Sequence, residues 1–336
     1  EGPVFEPGIV TTCRRAEALL LPLAALLVAP AFVLLAVRWT VLMRCRGLGV
    51  PVYRAFRLTM AGAFFNTFMP GMTGGDIVKA YYAARGSGRT ATAVMSVAAD
   101  RAVGLLSLVL VGSLAGVAAF GDAAARSATL KTWGLFGFVL AGLWMYFSPF
   151  ARRRLGISRL LGRLPEENPL RAVDRAAWAY RGHPGSLASA LALSLPVHLL
   201  LIASIAVSGY ALGATTPLLT FVAVLPLVLL AGSLPLSFMG FGVMEPVGIA
   251  LLAGRGADPN QIVAMLVLVR VYQVLWSAGG AVYVVRGGLS LHAPEPAAEQ
   301  SRGEPASREA GIGSVDRLPR PRARCVTSDH SVSPSA

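Results

Sequence analysis

Four ionisable side chains lie inside stretches otherwise too apolar to hold them: Asp100, Arg101, Glu245 and Arg270. A charge at the centre of a bilayer costs at least about 2.5 kcal/mol, so such a group persists only with a partner or a task. Two carboxylates and two guanidiniums balance, and the pairing expected is Glu245 with Arg270 or with Arg101. Paired, these groups would only lock helices together. Lining a polar groove, Arg101 or Arg270 would instead offer its planar fork to a phosphate.

A second group gathers at Gly74-Gly75-Asp76, with Lys79 and Arg85 behind it. A glycine-rich turn running into a helix N-terminus presents backbone N–H groups to an anion. Asp76 at the N-cap would satisfy those donors with its own carboxylate. Capping is therefore expected of Asp76, and headgroup contact of Lys79. A cationic headgroup would reverse the roles, with Asp76 and Glu245 as its counter-charges.

Familiar catalytic patterns do not occur. Gly71 to Asp76 lacks the Gly-Lys-Ser/Thr ending of a phosphate loop, and Gly240-x-Gly242 lacks the third glycine of a dinucleotide site. His198 stands alone on an apolar span and reads as a packed, hydrogen-bonded histidine. No Ser, His and Asp share a strand–turn–helix setting. Cys13, Cys45 and Cys325 are far apart and the four histidines are scattered, so neither metal nor disulfide is expected. No cofactor is implied, and an enzyme is not the expected class.

Composition shows what must surround these residues. Hydrophobic residues make up 55% of the 336 and charged residues 14%, against roughly 25% charged in a soluble domain. Mean hydropathy is +0.62. The net charge of +13 would suit nucleic acid, but the bases sit between apolar spans with no aromatic-interleaved basic face. The bias of cytoplasmic loops toward Lys and Arg explains them, and no nucleic-acid partner is expected.

The chain reads as an all-α, polytopic transmembrane helix bundle. Residues 1–17 precede it, 18–286 form it, and 287–336, rich in Pro, Ser, Ala and Arg, read as a disordered cytoplasmic tail. Residues 18–37 are uncharged and closed by Arg38-Trp39 in the manner of an interfacial anchor. After a basic stretch over 44–57, the apolar run 58–69 is too short to cross and ends in Pro70-Gly71. A short amphipathic helix is expected over 76–85, then spans over 90–120 and 133–150. A loop over 151–185 holds eight arginines and three acids, with an interfacial helix at 170–180. Residues 186–212 span. The 217–234 piece breaks at Pro235, and Gly240, Gly242 and Glu245 precede a short apolar piece over 246–253. The last span covers 261–285.

Loop charge sets the topology. The 38–90 and 151–185 segments are heavily basic and belong in the cytoplasm; the connections at 119–131, 213–216 and 254–259 are nearly neutral and belong outside. The 58–75 piece must then dip in from the cytoplasm and the 217–253 piece from outside. The two elbows also match: Phe68-Met69-Pro70-Gly71-Met72-Thr73-Gly74-Gly75-Asp76 lies beside Phe238-Met239-Gly240-Phe241-Gly242-Val243-Met244-Glu245 with one gap. Both read aromatic, Met, glycine-rich turn, carboxylate. Two re-entrant, broken-helix hairpins in an inverted repeat are expected, facing one another at a substrate site. Pro70, Gly71, Gly74 and Gly75 are the hinges of one, Pro235, Gly240 and Gly242 of the other.

These residues resemble a known family. Asn66-x-Phe68-x-Pro70-Gly71-x-x-Gly74-Gly75-Asp76-x-x-Lys79-x-Tyr81, Ala99-Asp100-Arg101-x-x-Gly104 and Leu234-Pro235-Leu236-Ser237-x-x-Gly240-x-Gly242-x-x-Glu245 are similar to the flippase-like, lysylphosphatidylglycerol synthase transmembrane region family, over roughly 18–286. The resemblance implies one further helix before the first span, so residues 1–17 are expected to follow a truncated start. It implies the lipid-handling membrane half of a synthase, without the soluble aminoacyl-transferase domain. The expected function is to move or shield a phospholipid or lipid-linked headgroup across the inner (plasma) membrane. Asn66, Asp76, Lys79, Tyr81, Asp100, Arg101, Glu245 and Arg270 would line its path. The alternative is a docking subunit for a separate aminoacyl- or glycosyl-transferase.

Overall fold

The computed structural model describes residues 8–285, apart from 15, 69–73, 86–87, 119–129, 234–239 and scattered positions between 131 and 167. The tail expected over 287–336 lies outside the described residues. In chain order the helices are α1 (Ile9–Arg14), α2 (Leu20–Arg44), α3 (Val52–Phe68), α4 (Gly74–Ala84), α5 (Thr90–Ala118), α6 (Pro149–Arg154), α7 (Pro169–Trp178), α8 (Pro184–Ala211), α9 (Leu218–Gly232), α10 (Met244–Leu252) and α11 (Pro259–Val285). No strand occurs among the described residues. Helices α2, α5, α8 and α11 are long and apolar enough to cross a membrane. The protein is an all-α membrane bundle. The span expected over 133–150 is described only in part, and its described residues are mostly helical.

Helices α2 and α8 form the most extensive helix pair. Small residues let them approach: Ala24 and Ala31 on one side, Ala190, Ser204 and Ser208 on the other, all buried. The Ser204 hydroxyl donates to the Ala24 carbonyl oxygen at 2.7 Å. Helix α2 runs six residues past Arg38, and Arg38 and Trp39 are 4% and 0% exposed. The anchor expected at Arg38-Trp39 is therefore corrected: both residues sit inside the bundle.

Helices α3 and α4 make the first short hairpin. Helix α3 begins at Val52 rather than 58, because Ala55, Leu58 and Thr59 face inward while Tyr53, Arg54 and Arg57 of the basic stretch take its outer side. At 1.5 Å per residue, the 17 residues of α3 and 11 of α4 span about 26 and 17 Å, short of the roughly 30 Å of hydrocarbon. A Cβ on Gly75 would overlap the Gly62 carbonyl, and one on Gly62 would lie 3.0 Å from the Lys79 side chain. Asn66 meets Gly75 while Gly62, a turn earlier, meets Lys79, a turn later, so the two helices run antiparallel.

Helices α9 and α10 make the second hairpin. Gly240, at φ +77°, would with a Cβ stand 3.0 Å from Gly232 Cα, and Gly242 has φ +78°. Only glycine adopts such angles without cost. Pro70, Gly71 and Pro235, expected as hinges, lie outside the described residues. The packing is reciprocal: α3 lies on α11 and α9 lies on α5. At the first crossing a Cβ on Gly280 would collide with the backbone of Met60 and Ala61. Each of the two units, α3–α5 and α9–α11, thus packs its hairpin against the other's long helix.

The 151–185 stretch is more than a loop. Asp174 on α7 accepts both guanidinium nitrogens of Arg152 on α6, and the Tyr146 hydroxyl at 2.7 Å. The Arg152 guanidinium lies over the Trp178 ring, 4.7 Å from its centre. The Tyr180 hydroxyl, in the 3₁₀ turn after α7, donates to the Leu42 carbonyl at 3.0 Å and ties this region under α2. Burial pushes the Asp174 carboxyl up, but the Arg152 and Tyr146 hydrogen bonds outweigh it and hold its pKa below the ordinary carboxylate value.

Two predictions follow from this packing. Gly75→Ala should destabilise the detergent-solubilised protein by about 2–3 kcal/mol, while Gly49→Ala, with open space around it, should leave the melting temperature unchanged; equal melting of the two would contradict the hairpin contact. A depressed Asp174 pKa stabilises docking above the unfolded carboxylate value and loses that contribution as pH falls through the folded one. Tryptic cleavage after Arg159 and Arg163 should therefore be slow at neutral pH and in Asp174→Asn already fast there; no difference at neutral pH would refute the lock.

Candidate functional site: a charged cavity inside the helix bundle

A carboxylate buried on α5 organises the site. Asp100 receives the Arg38 Nε–H on Oδ1 at 2.7 Å and stands 3.4 Å from Lys79 Nζ through Oδ2, and all three side chains are nearly inaccessible. Arg38 also donates from Nη1 to the Ser194 hydroxyl of α8 at 2.9 Å. Its guanidinium fits because position 104 is glycine: a Cβ there would lie 3.3 Å from Nη1. Lys79 lies 4.4 Å from the centre of the Trp39 ring, a cation–π contact that compensates part of its lost hydration. The Trp39 indole donates to Ser96 at 3.1 Å, which fixes the ring. Helices α2, α4, α5 and α8 thus meet on one network.

Two further ion pairs repeat each other. Asp76, in the first turn of α4, binds Arg101 on α5, with Nε to Oδ2 at 2.5 Å and Nη2 to Oδ1 at 3.1 Å. Glu245, in the first turn of α10, binds Arg270 on α11. In each case the arginine follows its carboxylate by 25 residues. The match found between the elbows therefore extends to the charge pair that fastens each short helix to the next long one. Arg270 additionally donates to the Gly240 carbonyl at 3.0 Å and covers the Phe241 ring at 4.0 Å, so it clasps the second elbow.

Capping at the first elbow differs from expectation. The Gly75 N–H is taken by the Asn66 side-chain oxygen at 2.8 Å, which leaves the Asp76 carboxylate for Arg101. An acceptor from the antiparallel α3 does the capping because the Gly62–Gly75 contact brings it within reach.

A cavity of about 420 Å³ opens among α2, α3, α4, α5, α8, α9 and α11. Of the residues expected on the path, Asn66, Asp76, Lys79, Asp100 and Arg101 line it. Tyr81, Glu245 and Arg270 do not. Tyr81 is 51% exposed, edge-on to Tyr82 and beneath the Arg85 guanidinium. Glu245 and Arg270 are occupied with each other, so the two elbow carboxylates do not face one another across this cavity. The remainder of its wall is mostly apolar, with Phe32, Leu105 and Leu201 among others, and includes the polar His198 and Gln273.

Arg38 and Ser194 belong to the charged network and were not expected there, whereas His198 is the packed, hydrogen-bonded histidine expected and in addition lines the cavity. One signal existed for Arg38: an apolar, unbroken run of Val41, Leu42 and Met43 continues the helix past it. Removing Asp100 would leave two buried cations uncompensated. Asp100→Asn and Arg38→Gln should each cost about 3–5 kcal/mol, and the double variant should cost less than their sum by about 1 kcal/mol or more. Thermal melting in detergent measures this; strict additivity would mean that the pair is not coupled.

The chain was then compared with known proteins. A search among curated proteins matched none. The family model described as "Lysylphosphatidylglycerol synthase TM region" matches residues 8–279, which include every residue lining the cavity and both elbow pairs. The chain belongs to the lysylphosphatidylglycerol synthase TM region family.

Proposed function

We propose that this protein moves a phospholipid or lipid-linked headgroup between membrane leaflets, or shields it in transit, by seating the headgroup phosphate in the cavity. One observation carries the reading: three cations, Arg38, Lys79 and Arg101, meet two carboxylates, Asp76 and Asp100, around a single cavity. A surplus of one positive charge in a setting of low dielectric favours an anion, and an ammonium headgroup would be repelled. Most of the remaining lining is apolar, which suits a lipid's glycerol and upper acyl carbons.

The two elbow pairs supply the moving parts of this reading. Asp76–Arg101 is the more open, with the arginine side chain 43% exposed, and it releases α4 when a phosphate takes over the guanidinium. Glu245–Arg270 holds the equivalent hairpin of the other unit. Rocking of one unit against the other then exposes the cavity to each leaflet in turn. In this reading the protein sits in the plasma membrane with its C-terminal tail in the cytoplasm, an orientation that the excess of Lys and Arg in the 38–90 and 151–185 segments supports. Energy comes from the lipid gradient or from a partner that consumes the delivered lipid.

Reconstitution tests the proposal. Vesicles containing the protein should lose inner-leaflet fluorescence of tail-labelled anionic phospholipids to external dithionite faster than empty vesicles. Lys79→Gln and Arg101→Gln, each checked for wild-type melting, should slow this about tenfold or more, the loss of one charge-assisted contact. Equal rates with and without protein, for every lipid tried, would end the transport reading.

A further inference from the structure

We infer that the imidazole of His198 selects the headgroup, accepting a hydrogen bond from a hydroxyl group carried on a lipid phosphodiester. The inference rests on the phosphate reading above and adds a second point of contact to it. His198 lies on α8 and lines the cavity. Its Nδ1 is 2.9 Å from the Ser194 carbonyl oxygen and 2.7 Å from the Ser107 hydroxyl. A carbonyl oxygen only accepts, so Nδ1 carries the proton and the serine hydroxyl shares it. The neutral ring then has its lone pair on Nε2. Among the described residues Nε2 takes no hydrogen bond, and the ring that bears it faces the cavity.

The surroundings keep this nitrogen an acceptor. Ser194 holds Arg38 through its hydroxyl and His198 through its carbonyl, so the guanidinium and the imidazole are neighbours on one helical turn. A second proton on the ring would add a cation beside Arg38, in a site whose cations already outnumber its carboxylates. The same surplus disfavours an ammonium as the donor and leaves a hydroxyl. A phosphate against Arg38 and Lys79 with a hydroxyl on Nε2 describes a phosphodiester whose alcohol is polyhydric. A headgroup without a donor would cover the half-buried acceptor and leave it unpaired, and sites of this kind discriminate by that penalty.

Equilibrium binding to the full chain in detergent tests this with two tail-labelled lipids of equal charge. Phosphatidylglycerol carries hydroxyls on its headgroup; phosphatidylmethanol carries none. The wild type should bind phosphatidylglycerol about tenfold more tightly, the effect of one hydrogen bond. His198→Leu should bring the ratio close to one, and His198→Gln, whose amide oxygen can accept, should keep most of it. A loss of folding would weaken both lipids together and would not move their ratio. Retention of the full preference in His198→Leu would overturn the inference. Equal binding of both lipids by the wild type would overturn it too, while leaving the phosphate reading intact. Binding of neither lipid would remove both.

Discussion

The Asp100 carboxylate, buried and shared by Arg38 and Lys79, is the interaction on which the arrangement of this bundle turns. None of the three charges could lie where it does alone, because desolvation costs several kcal/mol for each. Together they join α2, α4 and α5, and the Ser194 hydroxyl adds α8. Such a network does more for specificity than for stability: it admits one relative placement of four helices, since any slip leaves a charge unpaired. It also leaves one cation more than carboxylates in a cavity that is otherwise apolar.

Close backbone contact makes that network reachable. Lys79 meets Asp100 only because α4 folds back against α3, and α4 lies that close only because positions 62 and 75 lack side chains. The second hairpin uses the same device at Gly232 and Gly240. Each short helix is then fastened to the following long helix by a carboxylate–arginine pair 25 residues apart. The two units diverge in what they add: the first carries the Arg38–Asp100–Lys79 network, while the second uses its arginine to clasp its own elbow through Gly240.

Much of this was legible from residue types. The length of the apolar runs announced spanning helices, and the short runs ending in Pro and Gly announced hairpins, because hydrocarbon thickness sets the length a helix needs. The pairing of Glu245 with Arg270 could be anticipated because opposite charges in hydrocarbon have few other partners. Arg38 escaped this reasoning: an arginine near the end of an apolar run looks like one that reaches out to the interface, and only the position of Asp100 shows that it points inward. Asp76 was read as a cap because it opens a helix, yet Asn66, supplied by another helix, does the capping. His198 looked inert for the same reason, since its neighbours Ser107 and Ser194 come from separate elements or turns.

The sequence alone determined the class of solvent this chain faces, four of the long apolar spans expected of it, and the two glycine-rich elbows between them. These are properties of composition and local spacing, summed along the chain. Which charges meet, which arginine is buried and which nitrogen of His198 bonds to Ser107 and Ser194 were decided by tertiary structure. Those outcomes depend on distances between helices far apart in sequence, which glycine contacts and a single buried carboxylate set to within an ångström.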